Sequence, residues 1–333
     1  MSDLSAWVIT DGKAGDEQQC LGVAEALGLT PQLRRVRPRA AFVWLMPWGP
    51  IDPRERPGLP ESPIAPPFPD LAIASGRRAA PYLRAVKRAS GGRTFTVFLK
   101  NPRAGRGTAD LLWAPAHDRL TGDNVIATPT APHRISAARL AAARANPDPR
   151  LASLPRPRAG VLVGGPSRHH RYLDEDVARL LGNLTRLAAS GVALMITASR
   201  RTPEPLRAGL ARLARDHGGF FWTGDGDNPY LSILALADAI VVTADSHNMV
   251  GEAAATGAPV LVFEPSGGHP KLMAFLKGLE AHGAVQPFRG RLEAFAYEPL
   301  DSTPIVAAAV AAALARHRRA RGLPEAALRL ETA

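Results

Sequence analysis

Two successive α/β domains, each built on a parallel sheet, are what this chain of 333 residues predicts, and three observations carry that expectation. Short apolar runs alternate with amphipathic ones along most of the length, the pattern of strand–helix–strand crossovers. The alternation breaks at "ARANPDPRLASLPRPRAG", where Pro147, Pro149, Pro155 and Pro157 end one helix and forbid another, so this reads as an interdomain linker. Finally, "AIVVTADSHNMVGEAAATGAPVLVFEP" sets a polar-headed helix between two apolar strands, and ligands bind at such strand-to-helix junctions.

The first domain, residues 1–150, opens after an acidic start with the strand "AWVIT". A polar loop leads to a helix in "QQCLGVAEALGL", whose Leu21, Ala24 and Leu27 recur at helical spacing. Strands follow at "DLAIAS", "TFTVFL", "DLLWAP" and "NVIAT", with a helix from "RRAAPYLRAVKRA" between the first two. The segment "FVWLMPWGPIDPRERPGLPESPIAPPFP" carries proline too often for a helix or a central strand and is expected to be a long loop. Its Trp44, Met46 and Trp48 either pack the loop on its own domain, the favoured reading, or touch an acceptor or a membrane surface.

In the second domain, residues 156–303, strands at "AGVLVGG", "VALMITAS", "GFFWTG", "AIVVTA" and "PVLVFEP" alternate with helices at "EDVARLLGNLTRLAAS", "TPEPLRAGLARLARDH", "YLSILALAD" and after "DSHN". An alanine-rich helix from Pro304 to about Arg321 and a tail make up 304–333; the basic end "RHRRAR" complements the helix dipole.

A formal charge of +11 favours anionic partners. Nucleic acid is the weakest of these, because no basic helix, zinc-finger spacing or aromatic RNA-binding motif accompanies the arginines. Cys20 is the only cysteine, which excludes an intrachain disulfide or a cysteine metal cluster and suits a reducing cytosol. The apolar run "TPIVAAAVAAALA" falls short of the roughly 20 residues that span a bilayer, so the expectation is a cytoplasmic protein with, at most, a peripheral contact at the inner membrane.

The polar head of the helix in the Ala239–Pro265 unit fits a diphosphate: Asp245 or Ser246 can cap it, and Asn248 and Met249 continue its first turn. Glu252 stands six residues on, about 9 Å along the axis, within reach of a ribose diol; a solvent-facing helical glutamate is the alternative. The turn "VLVGGPSRHHR" offers Gly164 and Gly165 for close backbone approach to phosphate, Ser167 as donor and Arg168 as charge, or is simply a tight turn. His169 and His170 point to opposite sides of an extended segment, so one of them can enter a site. Asp225 and Asp227 resemble a metal-binding Asp-x-Asp, but in a glycine-rich loop that spacing is weak evidence, and no obligatory metal is expected.

"GEAAATGAPVLVFEP" resembles the donor-nucleotide motif of GT-B glycosyltransferases, including the transferase that adds N-acetylglucosamine to the lipid intermediate of peptidoglycan. A wider resemblance covers most of the chain. "ITDGKAGDEQQCLGVAEALG", "APAHDRL", "VLVGGPSRHHRY" and "DNPYLSILALADAIVVTADSHNMVGEAAATGAPV" are similar, in that order, to the bacterial branch of the mitochondrial-fission family of elongated-mitochondria proteins. These resemblances imply two Rossmann-like domains facing a cleft, with a nucleoside diphosphate sugar as donor on the second domain. Glu252 would then bind the ribose, and Asn228 and Tyr230 of "NPY" would sit at the base of the donor site.

The acceptor, a lipid-linked group or a glycan, would belong to the first domain. Inverting transfer needs a base for the acceptor hydroxyl, and Asp11, Asp16 and Glu17 in "TDGKAGDEQQ" are the candidates. The family pattern carries histidine where this sequence has Asp16, so the resemblance does not choose among them, and capping of the first helix by Asp16 competes. Gly12, Lys13 and Gly15 share that loop, while Gly76, Arg77, Lys100, His117 and Asp118 follow later strands on the same sheet edge.

Three functional classes follow. The leading one is a metal-independent inverting glycosyltransferase that needs no cofactor beyond its donor. An NAD-dependent nucleotide-sugar epimerase or dehydrogenase lacks its Gly-x-Gly-x-x-Gly, the position reading "TDGKAGDE", and lacks a Tyr-x-x-x-Lys pair. A non-catalytic adaptor would keep the fold and tolerate substitution at Asp11, Gly165 and Glu252.

Overall fold

The computed structural model describes residues 4–325, 328 and 330; the acidic start at 1–3 and, in the expected tail, residues 326, 327, 329 and 331–333 lie outside the described residues. Residues 1–134 together with 302–333 form one compact unit and residues 135–301 the other.

The first unit runs β1 (Ala6–Thr10), α1 (Ala14–Ala26), β2 (Gln32–Arg35), α2 (Ala40–Leu45), β3 (Leu71–Ser75), α3 (Ala79–Ala89), β4 (Phe95–Leu99), β5 (Leu111–Pro115) and β6 (Val125–Thr128). Its six strands, all parallel, lie in the order β2-β1-β3-β4-β5-β6. Every residue of β1, β3 and β4 is buried, because helices cover both faces, and this is why these strands read as continuous apolar runs. The expected strands are present, and β2 is an addition. The proline-rich stretch is mostly irregular, as expected, but it begins in the short helix α2.

The second unit begins with α4 (Ala137–Ala145) and α5 (Pro149–Ala152). It continues through β7 (Arg158–Val163), α6 (Asp174–Ala189), β8 (Ala193–Ala198), α7 (Glu204–Asp216), β9 (Phe220–Trp222) and α8 (Tyr230–Leu236). Then come β10 (Ala239–Thr243), α9 (His247–Ala254), β11 (Val260–Phe263), α10 (Pro270–Ala281) and β12 (Val285–Pro287). Its parallel strands lie in the order β12-β11-β10-β7-β8-β9.

The expected linker is not a linker. Residues 135–157 belong to the second unit, where Leu140, Ala143 and the fully buried Leu151 pack with Ile233 and Leu236 of α8. Pro149 sits at the start of α5, where its missing N–H costs nothing, and the Asp148 carboxylate caps that turn by accepting from Arg150 N at 2.9 Å. The boundary therefore falls at 134/135 rather than at 150–156.

The C-terminal helix α11 (Thr303–Ala320) belongs to the first unit rather than standing apart. Val306, Val310 and Leu314 pack in one core with Val23 and Leu27 around α1, and Arg318 pairs with Asp70 at 2.6 Å. Its basic end is thus partly internal: Arg318 is buried, and its Nε also donates to Pro324 O at 2.7 Å.

Candidate functional site

In the second sheet the chain leaves β7 toward β8 on one side, while β10 pairs on the other, so the strand order reverses between β7 and β10. Open parallel sheets bind ligands at the carboxyl ends of the strands flanking such a point. The segments that emerge there are Gly164-Gly165 from β7 and Asp245-Ser246 from β10. Both glycines are required by contact. A β-carbon on Gly164 would stand 2.1 Å from Asp245 Oδ2, and one on Gly165 would stand 2.2 Å from Arg201 O.

Asp245 does not face an anion. Its buried carboxylate accepts from Gly165 N (2.9 Å), Tyr172 Oη (2.6 Å), Thr243 Oγ1 (2.8 Å) and Arg201 Nη2 (3.1 Å), so the side chain ties two turns together from within. Ser246 is the cap of α9, with its Oγ accepting from Met249 N at 3.5 Å. Asn248 lies in the first turn of that helix beside the half-buried Met249, and the end points its amides and positive dipole outward from the strand. Arg201 was not foreseen. It follows β8, the same strand-end position that singled out the other turns, and donates to Gly165 O (2.8 Å) and Pro166 O (2.7 Å) while remaining exposed.

Glu252 lies on α9 and is half-buried. Tyr230 Oη donates to its Oε2 in a short hydrogen bond, which brings "NPY" and the helix glutamate together. Burial pushes the Glu252 carboxyl up to about 7, with the Tyr230 hydrogen bond opposing the rise, and the same burial raises the Tyr230 phenol. Asn228 stands just before α8, its Oδ1 accepting from Tyr230 N at 3.1 Å, and so fixes the start of the helix that carries the tyrosine.

Ser167 closes its own loop, its Oγ accepting from His169 N (3.2 Å) and His170 N (3.1 Å), while Arg168 is exposed. His170 is buried, whereas the half-buried His169 packs against His269 with ring centroids 4.3 Å apart and planes tilted by 43°. Asp225 accepts from Thr223 Oγ1 at 3.2 Å within its own loop. Among the described residues no group of three or more His, Cys, Asp or Glu could hold a metal ion.

The first sheet reverses its order between β1 and β3, and the loops after these strands carry the other candidate cluster. Asp16 is not a cap: α1 is preceded by Lys13, whose side chain makes no capping bond. Instead Asp16 Oδ1 accepts from Ser75 Oγ (3.1 Å) and, in a short ion pair, from Lys100 Nζ. Both contacts fall on Oδ1; Oδ2 is turned toward Gly76, 3.0 Å from where a β-carbon on that residue would stand. Gly76 has φ +94°, a conformation that side chains resist, and Lys100 adopts φ 107° despite having one.

Asp11 is more enclosed than Asp16, and Glu17 is as buried as Asp16 but fully paired. The Asp11 side chain is about 1% exposed, with Lys13 Nζ at 2.8 Å and Arg78 Nε at 3.7 Å, and its Oδ1 has no hydrogen bond. Glu17 is gripped by Arg35 at 2.7 and 2.9 Å and accepts from Thr10 Oγ1 at 3.1 Å. The Arg35 guanidinium holds that carboxyl below its ordinary value. Gly12 forms the turn after β1 with φ +84°, and Gly15 is the second residue of α1. Arg77 points its guanidinium at Val43 O (3.0 Å), and His117 and Asp118 occupy a single 3-10 turn after β5. Arg35 was missed by sequence reasoning; Ser75 and Arg78 flank Gly76 and Arg77 in the strand-to-helix turn that the sequence marks.

Residues 14–314 match the sequence profile of the family described as "Mitochondrial fission ELM1". The chain belongs to the mitochondrial fission ELM1 family. This ELM1-family chain is 27% identical over 395 aligned residues to the mitochondrial fission protein ELM1 of Arabidopsis thaliana, covering 95% of this chain and 92% of that one. Among solved structures it resembles UDP-N-acetylglucosamine 2-epimerase from Rickettsia bellii, at 11% identity and TM-score 0.52 over 96% of this chain and 97% of that one. The UDP-GlcNAc 2-epimerase from Neisseria meningitidis bound to UDP-GlcNAc is similar at 12% identity and TM-score 0.52, over 87% and 88%. At such identities the likeness establishes the fold: the ELM1-family chain has the two Rossmann-like α/β units of a GT-B-like architecture.

Proposed function

We propose that this protein transfers a sugar from a nucleoside diphosphate sugar to an acceptor hydroxyl, with inversion and without an obligatory metal. The observation that carries the reading is the pairing of Tyr230, at the start of α8, with Glu252 on α9, the helix whose N-terminus follows β10 beside the Gly164-Gly165 turn. The diphosphate would lie on the amides of α9 and the glycine turn, with Arg168 and Arg201 supplying positive charge. The Glu252 carboxylate would accept the ribose hydroxyls. As the bond between the anomeric carbon and the diphosphate breaks, its electron pair leaves with the nucleoside diphosphate, and the acceptor oxygen bonds to the carbon.

The acceptor proton requires a base, and Asp16 suits it best of the three carboxylates: one oxygen is held by Ser75 and Lys100, while the other faces the Gly76 turn, where only a glycine leaves it room. Asp11 is walled in by Lys13 and Arg78, and Glu17 by Arg35. The acceptor, lipid-linked or glycan, would be placed by the neighbouring loop residues Gly12 and Lys13.

A second reading, nucleotide-sugar epimerisation, is favoured by the shared fold with two proteins of that name. Binding is tested by melting curves with a panel of uridine, guanosine and adenosine diphosphate sugars. At least one should raise the melting temperature of the native chain, and Glu252→Ala should abolish the shift; silence across the panel sinks the proposal. Analysis of the sugar after incubation without an acceptor separates the two chemistries, since only an epimerase converts the donor to its epimer.

A further inference from the structure

The helix α2 is made entirely of apolar residues, AAFVWL, and none of them is buried. A helix that is apolar all round is ordinarily covered. Here Trp44 is 85% exposed, Leu45 50% and, in the turn that follows, Trp48 68%. The turn is nevertheless anchored. Met46, between the tryptophans, is fully buried in the core with Ile64 and Tyr82, and Gly49 N donates to Leu45 O at 2.7 Å. Three exposed apolar side chains are thus held out from a fixed base.

Arginines surround them. Arg77 Nη2 donates to Val43 O (3.0 Å), Arg84 Nη2 to Pro47 O (2.7 Å), and Trp48 Nε1 donates to the carbonyl of the exposed Arg103 (2.9 Å). Backbone carbonyls hold the first two guanidinium groups in place without cancelling their charge. The chain as a whole carries +11.

We propose that α2 and its turn dock the first unit on a bilayer surface that carries anionic lipid, with Trp44, Leu45 and Trp48 entering the headgroup region and Arg77, Arg84 and Arg103 meeting lipid phosphates. Tryptophan favours that boundary because its ring is apolar and its N–H polar, and cations beside an inserted apolar face add electrostatic attraction to anionic lipid. A stable protein interface takes about 800 Å² from each partner, more than three side chains supply, whereas shallow insertion needs only a few. The proposal concerns the first unit and is independent of the donor-site reading.

The test uses the full chain with vesicles of phosphatidylcholine alone and of phosphatidylcholine mixed with phosphatidylglycerol, read by co-sedimentation and tryptophan emission. The native chain should bind the mixed vesicles with a blue shift, bind neutral ones weakly, and be released by salt. Trp44→Ser with Trp48→Ser should lower the bound fraction about tenfold with an unchanged melting curve, as expected for shallow apolar anchors. Should the double variant fold poorly, Trp44→Ser alone removes the most exposed ring and should reduce binding in the same direction. Failure of the native chain to bind mixed vesicles, or equal binding by folded variants, overturns the proposal. So does a result in which the substitutions convert a dimer to a monomer and leave vesicle binding unchanged, because the surface then joins two copies of the chain.

Discussion

Burial pushes the Glu252 carboxyl up to about 7, and among the described residues Tyr230 alone donates to it. If the ionised form accepts the ribose hydroxyls, nucleotide affinity should rise with pH through about 7. A simple titration makes the affinity about tenfold higher at about pH 8 than at about pH 6, and Glu252→Gln should flatten that profile. Titration calorimetry at several pH values checks this. The linkage to stability has the opposite direction: the folded state binds the proton more tightly than the unfolded chain, so stability falls as pH rises from the ordinary carboxylate range to about 7. Glu252→Gln should therefore stabilise the fold most on the alkaline side, while weakening the nucleotide.

At the scale of the element, the turn after β7 is the tightest point of the second unit, since a side chain at Gly165 would collide with the backbone at Arg201 rather than with a movable group. Gly165→Ala should cost about 2–4 kcal/mol, because neither strand end can retreat without breaking its ladder. Chemical denaturation measures the loss, and an unaltered midpoint would mean that the two turns are not closely packed. The turns themselves were legible in the sequence: glycine and polar residues directly after apolar strands mark β7, β10, β1 and β3. The direction of Asp245 was not, because a carboxylate after a strand looks the same whether it faces an anion or four donors inside the protein. The strand β2 escaped notice because it is an edge strand with a mostly exposed QLRR sequence, lacking the apolar run of a buried neighbour. Residues 146–157 misled for a different reason: proline breaks a helix in its interior but begins one at Pro149.

At the scale of the whole molecule, the first unit is assembled from two stretches separated by the entire second unit. Truncating Leu314 to Ala leaves a cavity where α11 meets α1 and should destabilise the first unit by about 2–5 kcal/mol. Unfolding followed through the tryptophans Trp7 and Trp113 of that unit reads this out. The domain order expected from the sequence, one unit after another, missed this return, since an apolar helix carries no mark of which sheet it covers.

The return has a meaning in time as well as in space. Translation delivers residues 135–301 whole before it delivers Val306, Val310 and Leu314, so the second unit is complete on the ribosome while the first still lacks part of its core. A message truncated near its end would release a chain whose later unit is finished and whose earlier unit is not.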